Sequence, residues 1–272
     1  MWGFWYITGI SMGRIGKDIK PLISVIIPAF KQEDTIVKDV KRIEDVLGRI
    51  GNPYEIIVVV DGKVDRTFER VSKIRSKTVK ILGYDENRGK GYAIRLGMKH
   101  TRGDVVGFID AGMDIHPSGF SMLLNHMEWY NADIIVGSKR HPVSKVNYPL
   151  NRRLISYLSQ IFIRFLFGLN IRDTQVGLKF FKRKVIEKVI QRLLVKHYAF
   201  DIEILVVASH LGFKRIFEAP IKLRWTMGSG ITTGNLWKVL LLTFWDTLSI
   251  FYRLKLQNFY DDENRRKWKQ IQ

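Results

Sequence analysis

In its first half the chain repeats one pattern: a short apolar run rich in Val and Ile, a turn, then a helical stretch. The runs lie at residues 22–28 (LISVIIP), 54–60 (YEIIVVV), 79–83 (VKILG), 105–109 (VVGFI) and 133–137 (DIIVG). Segments this short and this apolar on both faces read as buried strands of a parallel sheet. Between them, Ile36, Val40, Ile43, Val46 and Leu47 recur at helical spacing until Gly51-Asn52-Pro53 stops the helix. Further helices are expected after Asp61-Gly62 to about residue 75, over 91–100, and over 120–130. Parallel strands need crossover connections, so the alternation implies an α/β fold with a doubly wound, mostly parallel sheet and flanking helices. Ligands of such sheets bind at the carboxyl ends of the strands. Asp61 ends the second run and Asp110 the fourth.

Beyond Gly137 the chain becomes basic and helical. Helices are expected over 150–169, 184–195 and 202–212, with a return strand at 216–223 and a last amphipathic helix at 236–254. This divides the chain into an extension (1–21), one α/β domain (22–232, in halves 22–137 and 138–232), and an interfacial helix with a basic tail (233–272) read as an appendage. The formal net charge is +19, and residues 139–196 hold fourteen Lys and Arg against Asp173 and Glu187 alone. So concentrated an excess calls for an anionic partner: nucleic acid, a membrane surface or a phosphorylated substrate. Long aliphatic helices interleave with the bases, unlike a solvated groove with stacking aromatics, which favours a membrane surface and phosphates over nucleic acid. The absence of cysteine excludes disulfides, thiolate metal sites and a cysteine nucleophile. No segment reads plainly as a membrane span, although 236–254 is long enough for one and a span there is the alternative reading. Residues 154–169 are short and carry Arg164, and 236–254 carry Lys238, Asp246 and Arg253; a mid-helix Asp costs about 3 kcal/mol to insert. Both read as helices lying in an interface, with Trp237 and Trp245 suited to the headgroup level.

Two further stretches carry chemistry. Asp110 and Asp114 present hard oxygens close together, which suits Mg²⁺ or Mn²⁺ bridging a diphosphate, although loop and cap aspartates have the same spacing. Residues 86–95 place a Gly-rich turn before a helix, with Arg88 and Lys90 beside it, a setting that favours phosphate.

The order of the motifs is more specific than any one of them. Val25-Ile-Ile-Pro28-Ala29-Phe30, Val59-Val-Asp61-Gly62, Asn87-Arg-Gly-Lys-Gly91, Asp110-Ala111, Gly137-Ser138, Asp173-Thr-Gln-Val-Gly-Leu-Lys179 and Phe200-Asp-Ile-Glu203 follow one another over residues 22–224. This set resembles the inverting glycosyltransferases of GT-A fold, family 2. Within them it is similar to the dolichyl- or polyprenyl-phosphate mannose synthases and glucosyltransferases. The resemblance implies a nucleotide-sugar site at Pro28, Phe30, Gln32, Asp61, Arg88, Lys90, Asp110 and Ala111, in which Asp61 accepts from the base. It implies a divalent metal at Asp110, Mg²⁺ or Mn²⁺. It implies an acceptor-phosphate clamp of Lys139, Arg140, Arg152 and Ser156, the last two four apart on one helix face. Asp110, Asp114, Arg152 and Asp201 are then the expected catalytic residues, and Glu203 a supporting one.

The chain departs from the family pattern in three places. Gly112 stands where the second aspartate of the metal pair belongs, which either weakens the metal site or shifts the ligand to Asp114. The usual Asn-Glu pair reads Lys31-Gln32, with Glu33 next, and no basic pair is evident after Arg224. The expected reaction is transfer of mannose or glucose from GDP-mannose or UDP-glucose to a lipid phosphate with inversion, at the cytoplasmic face of a membrane. The acceptor is already an anion, so positioning and charge stabilisation carry the catalysis. The rival readings are a transferase of the same fold with a non-lipid glycan acceptor, and a catalytically retired membrane-binding or nucleic-acid-binding homologue.

Overall fold

The computed structural model describes residues 20–146, 150–223 and 236–270. The extension up to residue 19, and the region after Arg224 where a basic pair was sought, lie outside the described residues.

The chain begins β1 (Ile23–Ala29), α1 (Ile36–Ile50), β2 (Tyr54–Asp61), α2 (Thr67–Ser72), β3 (Val79–Tyr84), α3 (Lys90–Lys99) and β4 (Val105–Ile109). It continues with α4 (Phe120–Trp129), β5 (Ile134–Ser138), β6 (Lys145–Val146), α5 (Leu150–Phe167), β7 (Leu178–Lys182), α6 (Arg183–Val189) and α7 (Phe200–His210). It closes with β8 (Ile216–Pro220), β9 (Lys222–Leu223), α8 (Leu236–Lys255) and α9 (Arg265–Gln270). Seven strands form one sheet in the order β3-β2-β1-β4-β7-β5-β8. β1, β2, β3 and β4 are parallel, as are β5 and β8. Every residue of β1 is buried, as the unbroken apolar run requires of an inner strand.

Four expectations change. β7 was read as part of a helical half, yet it is a strand, inserted antiparallel between β4 and β5. Its Lys179 breaks the apolar run Leu178-Lys-Phe-Phe and disguised it, although that lysine is itself fully buried. The helix expected over 184–195 stops at Val189 and passes through one 3-10 turn, because Glu203 takes the N–H groups of Leu194 and Val195. The return strand 216–223 splits. Ile216–Pro220 joins the main sheet, while Lys222–Leu223 pairs with Lys145–Val146 in a two-stranded sheet. Finally, the C-terminal segment is part of the core. Ile250, Leu254, Phe259, Tyr260 and Trp268 are all buried, and Arg192 stacks on the Trp268 ring at 4.8 Å.

Each of those five side chains contributes roughly 1.5–3 kcal/mol of burial, against a net stability of about 5–15 kcal/mol for a domain. Deleting everything after Leu223 is therefore expected to abolish the cooperative thermal transition followed by circular dichroism. A truncated chain that melted like the full one would show the segment to be dispensable.

Candidate active site

Asp61 closes β2 with its carboxylate buried. It gathers the glycine turn around itself. Oδ1 accepts from the Tyr84 hydroxyl (2.8 Å) and the Arg88 N–H (2.7 Å), and Oδ2 from the Gly89 N–H (3.0 Å) and the Asn87 amide (3.2 Å). A pocket of 310 Å³ opens at this strand end, lined by Pro28, Phe30, Gln32, Asp61, Lys90, Asp110 and Ala111. Seven of the eight residues expected to meet the nucleotide sugar thus face one space. Arg88 differs: its guanidinium bonds the Tyr92 hydroxyl (2.9 Å) and lies over the Tyr84 and Tyr92 rings, and its backbone N–H serves Asp61. Asn87, His197 and Tyr198 complete the lining. No sequence signal marked His197 and Tyr198, which sit in an irregular segment before α7.

At the mouth of β4 four charged side chains alternate. Lys90 Nζ lies 2.9 Å from Asp110 and 2.9 Å from Asp201, and Asp201 also accepts from Lys179 Nζ at 2.5 Å. Asp201 and Lys179 are buried, whereas the Asp110 side chain is 43% exposed. Burial alone would push Asp201 up, but Lys179 and Lys90 hold it below the ordinary carboxylate range. Burial likewise opposes a charged Lys90, yet Asp110 and Asp201 carry it above an ordinary lysine. Burial pushes the Asp110 carboxyl up against the pull of Lys90. Two ammonium groups therefore balance two carboxylates, and Asp110 is the member turned toward solvent.

Asp110 sits on Gly177, where an added Cβ would lie 1.9 Å from Oδ2. Gly177→Ala must displace the Asp110 carboxylate. It is expected to lower kcat by about ten-fold or more, the cost of misplacing a reacting group by about 1 Å. Turnover within two-fold of the parent would show that Asp110 tolerates another position.

A second cavity, of 560 Å³, lies between α5 and α8. Its far wall is apolar, including Leu158, Phe162, Ile163, Leu240 and Phe244. Its near wall is polar: Lys90, Asp110, Lys139, Ser156, Asp173, Gln175 and Asp201. Lys90, Asp110 and Tyr198 line both spaces, so the two meet there. Arg140 donates to Ser156 Oγ at 2.8 Å, and the backbone N–H of Lys139 donates to Asp173 at 3.0 Å. Three of the four expected phosphate-clamp residues are thus neighbours. Arg152 lies in the first turn of α5, and its side chain is outside what is described.

For a divalent cation the donor chemistry fits in part. Asp110 Oδ1 is buried and accepts no hydrogen bond, its one close charge being Lys90. Asp114 follows a turn through Gly112 (φ 89°) and Met113 (φ 55°), is half-buried, and is not in the lining of either cavity. Among the described residues no three His, Cys, Asp or Glu converge. A cation here would rest on one or two carboxylates and draw its other ligands from a diphosphate and water, as Mg²⁺ commonly does.

A strand-end nucleotide-sized pocket beside paired acids and lysines defines a nucleotide-sugar transferase of the GT-A type. The family model for Glycosyl transferase family 2 matches residues 24–190, and the chain belongs to that family. A dolichyl-phosphate beta-glucosyltransferase of Drosophila melanogaster is 32% identical over 231 residues, covering 79% of this chain and 70% of the relative. Its Homo sapiens counterpart is 30% identical with the same coverage. The protein is accordingly a hexosyltransferase. Glucosyl-3-phosphoglycerate synthase from Mycobacterium tuberculosis shares the fold, with a TM-score of 0.64 at 19% identity over 85% of this chain and 78% of that one. That enzyme was crystallised with UDP and Mn²⁺, and in another crystal with Mg²⁺.

Proposed function

We propose that the protein transfers glucose from UDP-glucose to a dolichyl or polyprenyl phosphate, with inversion at the anomeric carbon. The observation that carries this reading is the junction of the two cavities. A polar strand-end pocket and a long apolar groove share Lys90, Asp110 and Tyr198, so a sugar held in one faces a headgroup held in the other. An apolar groove has no use for a free sugar acceptor and suits a polyprenyl tail. Of the two hexoses open from sequence, glucose has the support of the relatives named above. Those relatives are beta-glucosyltransferases, and a β product from an α-linked donor requires inversion.

In this reading the nucleoside stacks near Phe30 while the diphosphate lies against Lys90 and the start of α3. Lys139, Arg140 and Ser156 hold the acceptor phosphate, whose oxygen attacks the anomeric carbon as the bond to the diphosphate breaks. Lys90 stabilises the charge on the departing diphosphate. Asp110, the only one of the two expected ligands in the lining of these cavities, would hold Mg²⁺ or Mn²⁺, which would supply further neutralisation of that leaving group. The exposed side chains Phe165, Leu241, Trp237 and Trp245 on α5 and α8 support docking at a membrane surface. Among the described residues no helix is long and apolar enough to cross a membrane. The cytoplasmic face, where nucleotide sugars are found, is the side this reading favours.

The test is label transfer. Purified full-length protein is mixed with dolichyl phosphate, Mg²⁺, and either UDP-[¹⁴C]glucose or GDP-[¹⁴C]mannose, then extracted with organic solvent. Label is expected in the organic phase from UDP-glucose. Label from GDP-mannose alone would overturn the donor. Label transferred only to a water-soluble glycan would overturn the acceptor.

A further inference from the structure

Glu203, on the first turn of α7, is a fully buried carboxylate that touches neither cavity. Its partners come from two distant parts of the chain. Oε2 accepts from the N–H groups of Leu194 (3.0 Å) and Val195 (2.8 Å). Oε1 accepts from the hydroxyl of Tyr260 (2.8 Å), and Arg253 of α8 stands 3.6 Å away. One carboxylate thus joins the segment at 194–195 to the C-terminal segment.

The residues after Val195 lie directly on the glycine turn of the donor pocket. The Lys196 carbonyl accepts from the N–H groups of Gly91 (2.8 Å) and Tyr92 (3.2 Å) at the start of α3. At Gly89 (φ 96°) a Cβ would come within 2.4 Å of that same carbonyl. His197 and Tyr198 then line the pocket itself. Contacts this close leave no slack, so a shift of the 194–198 segment is transmitted to the turn that gathers around Asp61.

We infer that Glu203 is a positioning residue: it clamps the 194–198 segment over the donor pocket and makes that placement depend on Tyr260 and Arg253 of the C-terminal segment. The inference rests on reading the pocket as the nucleotide site. It assigns to residues remote from the donor an effect on donor affinity. Because α8 also walls the acceptor groove, the same segment serves both substrates.

The test uses the full chain with Tyr260→Phe, which removes one hydroxyl, with Glu203→Gln, and with Val40→Ala, a core change in α1 far from the clamp. Two readouts are taken: UDP binding by calorimetry, and amide exchange by mass spectrometry over residues 86–92 and 193–198. Tyr260→Phe is expected to raise the Kd for UDP about five-fold, less than the full loss of a hydrogen bond to a charged group because Glu203 keeps its bonds to Leu194 and Val195, and to speed exchange in both segments. Val40→Ala is expected to lower Tm without either effect. The inference is overturned if exchange in these segments is unchanged, if it changes while UDP affinity does not, or if Val40→Ala does the same. Should the parent protein bind no nucleotide, the reading of the pocket fails, and the exchange result still decides whether the clamp exists. Tyr260→Phe carries the test if Glu203→Gln does not fold.

Discussion

Asp110→Asn is expected to lower kcat for glucose transfer by about 10²–10³-fold, the usual cost of removing one preorganised charge from a reacting centre. Three observations converge on this residue. It directly follows an inner strand, its carboxylate pairs with Lys90 at 2.9 Å, and it lines both cavities at their junction. The substitution keeps the shape of the side chain and removes its charge. Lys90 then retains only Asp201 as a close acid, and a divalent cation loses its best-placed oxygen. Because the Asp110 side chain is 43% exposed, the fold should tolerate the change. Tm should therefore move little while turnover collapses. Steady-state transfer assays with a parallel thermal melt separate the two. Retention of more than a tenth of parental turnover would remove Asp110 from the reacting centre.

The second large effect concerns stability. Lys179→Met leaves Asp201 without its shorter partner in a site both residues occupy out of contact with solvent. Breaking a buried pair from one side costs about 3–5 kcal/mol, and Lys90, which stays 2.9 Å from Asp201, offsets only part of the charge left behind. For a domain of this size each kcal/mol shifts Tm by roughly 2–4 °C, so a fall of about 6–20 °C is expected in a calorimetric scan. The double variant Lys179→Met/Asp201→Asn should recover part of that loss, since neutralising both partners removes the stranded charge. A double variant whose loss equals the sum of the two single losses would mean that the pair does not act as a unit.

Much of the donor side was legible in the sequence. The buried strands announce themselves by continuous Val and Ile, and their ends announce the carboxylates. Pro28, Phe30, Asp61, Lys90 and Asp110 all fall where those ends meet. Local signals suffice there because strand, turn and ligand-bearing residue are adjacent in the chain. The acceptor side was less legible. Lys139, Arg140 and Ser156 come together only because α5 folds back on the loop after β5. Gly112 was visible as a departure, but its backbone role was not: its N–H donates to the buried Asp39 of α1 at 3.1 Å.

What the sequence determined by itself was therefore the strand–helix alternation, the strand ends, and the family to which their motifs belong. Periodicity and strand termination are properties of a dozen neighbouring residues. Tertiary structure alone decided the antiparallel seat of β7, which brings Lys179 to Asp201 across twenty-two positions. It also decided the burial of the C-terminal tail and the wiring of Tyr260 to Glu203 over fifty-seven. The sequence placed Lys179 and Glu203 in motifs but not in the core, because a buried charge is stable only beside a partner, and chain order does not record who the partner is.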